Sequence, residues 1–223
     1  MGSALTRTDR LVTFEAAAMY VCATSYRRTA RERLPANVVD AVDTVDSFAT
    51  GAGAGGLIAE FTQLAPARLL KALLEQAADG AVWVESSGYG VRRRLGRHRV
   101  LIAPARQTRM LAGLREAWRV GVEAVNDAGP ARAVAQATEL WRGLLAAGAP
   151  VRTGRGLCLP LPAGPLAEVA LHGARHLGIS ARVRHTAQFS VVTVDNQVHV
   201  LQLMRIMPYR NGHAPTDSEE PRR

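Results

Sequence analysis

The sequence predicts an α+β fold in which two similar helix-and-sheet units pair about a pseudo-two-fold axis within one chain. Two observations carry this. The order of helix-like and strand-like segments in the second half repeats that of the first, and 48% of the 223 residues are apolar, enough for a shared core. Helices that cannot each bury a face alone can do so against a sheet, and two such units can close on each other.

Residues 1–36 read as an N-terminal helical extension, with Phe14, Met19, Val21 and Cys22 as apolar surface and a basic run at Arg27, Arg28, Arg31 and Arg33. Pro35 and Asn37 break it and cap the next helix. The first unit spans 37–120. Its helix over 38–50 carries Val38, Val42, Val45 and Phe48 at helical spacing. The strand Leu57–Phe61, the helix Pro66–Asp79, the strands Ala81–Tyr89 and Arg97–Ala103, and the helix Arg106–Val120 follow. Val82 and Val84 alternate with Trp83 and Glu85, as a half-buried strand requires. Turn chemistry at Asn126–Pro130 places a linker at 121–131.

The second unit spans 132–207. A helical run from Glu139 to Gly148 leads to the strand Leu157–Leu161, the helix Leu166–Gly178, the strands Ala181–Ala187 and Phe189–Asp195, and a closing helix from Val198. Arg182 and Arg184 alternate with Val183, while Val191, Val192 and Val194 suit a buried partner strand. The tail 208–223 is polar, rich in proline and charge, and is expected to be disordered.

Composition excludes several classes. No apolar run approaches the roughly 20 residues of a membrane span, and the alanine-rich Glu15–Ala23 stretch is too short. Met1–Arg10 lacks a charged-then-apolar signal pattern, so a cytoplasmic location is expected, with no membrane partner. Cys22 and Cys158 have no CxxC spacing. The net charge of +9 comes almost wholly from arginine, Lys71 being the sole lysine. A GC-rich gene explains that bias as well as function does, but the charge itself favours an anionic partner, nucleic acid first.

The enzymatic motifs fail on context. Gly51, Gly53 and Gly56 spell GxGxxG, but a helix precedes them and a strand follows, the reverse of a dinucleotide site. His172 and His176 share a helix face, yet Gly173 stands where a zinc protease needs glutamate. No phosphate-binding loop or GxSxG elbow occurs, and Ser86 and Ser87 have no base placed by the sequence. His98 and His185, near strand arginines, suit groove or surface contacts better than general-base work.

Residues Trp141–Gly148, the helix end Ala174-Arg175-His176-Leu177-Gly178-Ile179, the strand Leu57–Phe61 with its spacing to Ser87-Gly88, and Ala105–Thr108 together resemble the WhiA family of bacterial regulators of sporulation and cell division. The resemblance covers about residues 38–207 and does not reach the family's C-terminal helix-turn-helix domain. It implies a LAGLIDADG-like fold with concave antiparallel sheets that form a saddle along the major groove of double-stranded DNA. Homing endonucleases of this fold hold divalent metals with an acidic residue at the foot of each central helix. Those positions hold Thr50 and Ala147 here, and Asp43 and Asp46 lie too far up the helix to substitute. The resemblance therefore implies a protein that is not an enzyme, with no cofactor, metal or small-molecule substrate, and a regulator of transcription.

The DNA-binding residues expected from this alignment are Arg92, Arg93, Arg94, Arg97 and Arg99 in the first unit and Arg182, Arg184 and His185 in the second. A solvated hairpin tip accounts for the same arginines. Two alternatives remain: a protein-interaction module acting on a WhiA- or WhiB-type regulator or on RNA polymerase, and an active endonuclease. The helices ending near Thr50 and Ala147 are expected to pack together through Ser47, Ala49 and Gly51 against Gly143, Ala146 and Ala147.

Overall fold

The computed structural model describes residues 12–31, 56–78, 81–87, 97–186 and 189–207 of the chain. Helix α1 (Phe14–Arg31) is followed by β1 (Gly56–Phe61), α2 (Leu64–Ala78), β2 (Val82–Ser87), β3 (Arg97–Ile102) and α3 (Pro104–Asp127). Then come α4 (Pro130–Ala147), β4 (Val151–Thr153), β5 (Gly156–Pro162), α5 (Leu166–His176), β6 (Arg182–His185), β7 (Phe189–Val194) and α6 (Gln197–Ile206). One sheet has the order β1-β3-β2 and the other β4-β5-β7-β6. All pairings are antiparallel. The fold is α+β, and its two units repeat the plan strand, helix, strand, strand, helix.

The repeat extends to register. Phe61 pairs with His98, which pairs with Ser86; Leu161 pairs with Ser190, which pairs with His185. Counting outward from those rows, Val100 matches Val192 and Ile102 matches Val194, all buried. One irregularity separates the sheets: β1 slips register between Leu57 and Ala59, a bulge that turns Ile58 into the core.

The expected packing of a helix over residues 38–50 against α4 lies outside the described residues; among these, the close partner of α4 is α1, from the segment read as an N-terminal helical extension. Thr13 caps α1 by accepting from the Ala16 N–H, and Glu139 of α4 accepts from the Phe14 N–H at 3.1 Å. Ala16, Ala17, Ala18, Met19 and Cys22 are fully buried. A Cβ added at Gly143 would lie 2.5 Å from the Glu15 carbonyl oxygen and 2.9 Å from Ala18 Cβ. Small side chains on both helices let the backbones approach, so the alanine-rich stretch is a helix seam. Burial pushes the Cys22 thiol up to about 12, which leaves it inert.

Glu15 is buried in this seam 3.3 Å from Arg142. Burial raises its carboxyl above the usual glutamate value, Arg142 opposes that rise and Glu139 adds to it.

The expected linker is also shorter in the structure. Helix α3 runs on to Asp127 because Gly121, Ala124 and Val125 remain in the core, and α4 begins at Pro130. Only Ala128 and Gly129 connect them. Pro130 suits the first helical position, where no N–H is needed. Helix α5 ends in a left-handed Gly178 (φ +68), with the Ile179 N–H donating to the Ala174 carbonyl at 2.8 Å. Asn196 caps α6 by accepting from the Val198 N–H.

Strand β4 was not foreseen. It forms a hairpin with β5 through a Gly154-Arg155 turn, Gly154 having φ +57. The β4–β5 pairing runs from Gly156 to Cys158, and Pro160 lies across from Val191 of β7. Among the described residues, no helix is long and apolar enough to cross a membrane.

Candidate nucleic-acid interface

Each sheet has one face on the helices and one turned away. In the second sheet Leu157, Leu159, Leu161, Val192 and Val194 are buried against the helices. The alternate residues Cys158, Pro160, Val191 and Thr193 are partly exposed, and Arg182 and Arg184 are exposed beside them. Register places Arg182 across from Thr193 and Arg184 across from Val191. Both arginines therefore lie on the outer face, and neither has an ion pair among the described residues. Arg155, in the β4–β5 turn, is exposed as well.

His185 does not join them. It pairs with buried Ser190, on the helix-facing side, with Nδ1 2.9 Å from Ser190 Oγ and Nε2 3.1 Å from Glu168 of α5. Strand alternation separates it from Arg182 and Arg184, because neighbouring residues point to opposite faces.

On the outer face of the first sheet, Arg97 and Arg99 are both drawn onto Glu60. Arg99 Nε donates to Glu60 Oε2 at 3.1 Å, and an Arg97 nitrogen lies 3.5 Å from Oε1. Glu85 is register partner to Arg99 on the other side. Arg92, Arg93 and Arg94 lie outside the described residues.

Residues of both units line a pocket of about 480 Å³. Glu60, Phe61, Thr62, Gln63 and Pro66 of the first unit line it with Pro160 and Phe189 of the second. Ala23 of α1 and the end of α4, Ala146 to Ala149, complete it. Ala147 thus stands at the foot of a central helix, between the sheets. Glu60 is the acidic residue among those lining the pocket.

Three further residues have definite structural roles. Trp141 is fully buried and donates from Nε1 to the Ala170 carbonyl, tying α4 to α5. His176 Nε2 donates to the Val125 carbonyl at 2.8 Å, so this histidine joins α5 to α3 although its ring is 5.1 Å from that of His172. Ser86 does have a base beside it, contrary to the sequence reading: His98 Nδ1 is 2.8 Å from Ser86 Oγ. The pair bridges β2 and β3, and no signal in the linear sequence joins residues twelve positions apart. Among the described residues, no group of three or more His, Cys, Asp or Glu side chains could hold a metal ion.

These features define a class: an internally repeated α+β protein with paired central helices, two open sheet faces and a pocket lined by both units. No family model and no curated protein sequence matches the chain. Among solved structures it is similar to the N-terminal LAGLIDADG domain of DUF199/WhiA, at 14% identity and a TM-score of 0.46, over 95% of this chain and 98% of that one. It is also similar to full-length DUF199/WhiA from Thermatoga maritima, at 14% identity and a TM-score of 0.46, over 89% of this chain and 62% of that one. A likeness at this level is one of general outline, and binding has to be read from this chain's own residues.

Proposed function

We propose that the chain is a non-catalytic, LAGLIDADG-like module that binds double-stranded DNA through the outer faces of its sheets, in a WhiA-like regulator of sporulation or cell division. The observation that carries this reading is the outer face of the second sheet. Arg182 and Arg184 stand exposed there with no ion pair among the described residues, in a chain of net charge +9. Free guanidinium groups on an open sheet suit phosphate oxygens, to which they can bond in bidentate fashion. The absence of catalysis is supported by Ala147 at the helix foot and by Glu60, the acidic pocket residue, which is held by two arginines. A carboxylate already paired in this way is poorly placed to bind a divalent ion.

Salt titration of binding to a duplex tests the proposal. Each phosphate contact adds about 0.9 to the slope of log K against log salt for B-DNA. Arg182→Ala with Arg184→Ala should weaken binding and flatten that slope by about 1.8, whereas His185→Ala should leave it near the parent value. No binding even at low salt would refute the DNA reading. Supercoiled plasmid incubated with magnesium or manganese should stay intact, and nicking that follows the protein through purification would show an enzyme.

A second reading, a module that contacts a regulator or RNA polymerase, is favoured by Trp83. It is 38% exposed on the outer face of the first sheet, in one row with Leu57 and Leu101. Exposed tryptophan is typical of protein contact sites.

A further inference from the structure

The repeat allows the outer faces to be compared position by position. Where the first sheet has Glu60 and Arg99, the second has Pro160 and Val191. Where the first has Glu85 and Trp83 on its edge strand, the second has Arg184 and Arg182. The second face is therefore positive at its edge with no acid interleaved, while the first interleaves both signs.

Glu60 is the centre of that difference. It lies directly opposite Arg99 in register and diagonally from Arg97, the two cross-strand positions from which side chains can reach it. Glu60 and Arg99 are 19% and 17% exposed, so their pairing is screened far less than a surface ion pair. Its two oxygens each face one guanidinium, the arrangement that a phosphate group would offer.

We infer that Glu60 is an internal substitute for a DNA phosphate, one that occupies Arg97 and Arg99 and, among the described arginines of the two outer sheet faces, leaves Arg182 and Arg184 of the second unit to make the electrostatic contacts. The inference rests on the DNA-binding reading. It makes Glu60 a residue that sets which half of the molecule engages the duplex.

Full-length protein and a duplex of about two helical turns, titrated with salt, provide the test. Glu60→Gln should tighten binding and steepen the slope of log K against log salt by about 0.9, the contact of Arg97 released from its ion pair. Glu60→Thr, compatible with a strand, should do the same. Glu85→Gln removes an equal charge from the same face, but Glu85 has no ion pair among the described residues, so its slope should stay at the parent value. Arg97→Ala should change little by itself, yet take back about 0.9 of slope in the Glu60→Gln background. If Glu85→Gln steepens the slope as much as Glu60→Gln, net charge alone is acting and the inference is overturned. Parent protein that binds DNA with a slope unmoved by Glu60→Gln keeps the DNA reading and overturns the role of Glu60. Failure of both proteins to bind at low salt removes the DNA reading, and this inference with it.

Discussion

Across the first sheet, one row of side chains reads Phe61, His98, Ser86; across the second, the matching row reads Leu161, Ser190, His185. Each contains a serine and a histidine bonded through Nδ1, at 2.8 and 2.9 Å, but the two residues have changed places. The central-strand member is buried in both sheets, His98 in one and Ser190 in the other, and the edge-strand member is exposed. The row on the helix side has thus kept its geometry through an exchange of residues. On the outer faces nothing comparable is kept among the described residues, where the pairing of Glu60 with two arginines has no counterpart. Burial constrains the inner rows because an unpaired polar atom there is costly, whereas water satisfies the outer ones whatever their identity.

The comparison assumes two units joined by the α1–α4 seam, and the largest expected effect is there. Gly143→Leu would drive a side chain into the Glu15 carbonyl, a backbone atom that cannot rotate away. It should cost about 3 kcal/mol and lower the melting temperature clearly. Arg119→Leu, on the exposed surface of α3 among Glu116 and Glu123, should leave the melting temperature close to that of the parent. Similar thermal shifts for the two variants would show that the helices are not seamed at Gly143.

The swapped pairs should respond unequally. Ser86→Ala leaves the Nδ1 of buried His98 without its partner, at a cost of about 1–3 kcal/mol. Ser190→Ala leaves His185 facing water and Glu168, and should cost under about 1 kcal/mol. Denaturant midpoints for both variants measure the contrast, and the reverse order would contradict the burial argument.

The smallest effect is a pH dependence confined to the seam. Burial raises the Glu15 carboxyl above 4.5, so it holds its proton more tightly folded than unfolded. Its contribution to stability is full below 4.5 and is lost as pH rises through the raised folded value. The stability of the parent relative to Glu15→Gln should therefore fall as pH rises from 4.5 toward neutrality. A difference that grew over that range would mean that the Arg142 ion pair outweighs burial.

Much of this molecule was legible in one dimension. Alternation at Val82 and Val84 against Trp83 and Glu85, and at Arg182 and Arg184 against Val183, placed strands and faces close to where they lie. The helix of α1 was read from the sequence, but its central place was missed for a physical reason. Alanine is weakly apolar, so Ala16 to Ala18 give little hydrophobic signal, and their value lies in how near another backbone can come. The candidate interface was only partly legible. Arg97, Arg99, Arg182 and Arg184 read alike in sequence, yet among the described residues the first two meet a carboxylate and the last two do not.

The sequence by itself determined the repeat and the elements that build it, β4 excepted, because period and turn chemistry act between residues close along the chain. It also determined the excess of positive charge. Only the tertiary structure decided which helix lies against α4, that His185 turns away from its neighbouring arginines, and that Glu60 takes up Arg97 and Arg99. Those outcomes depend on register and on partners tens of residues distant, 39 positions separating Glu60 from Arg99. A one-residue change of strand register would move each side chain to the opposite face and leave the local pattern unaltered.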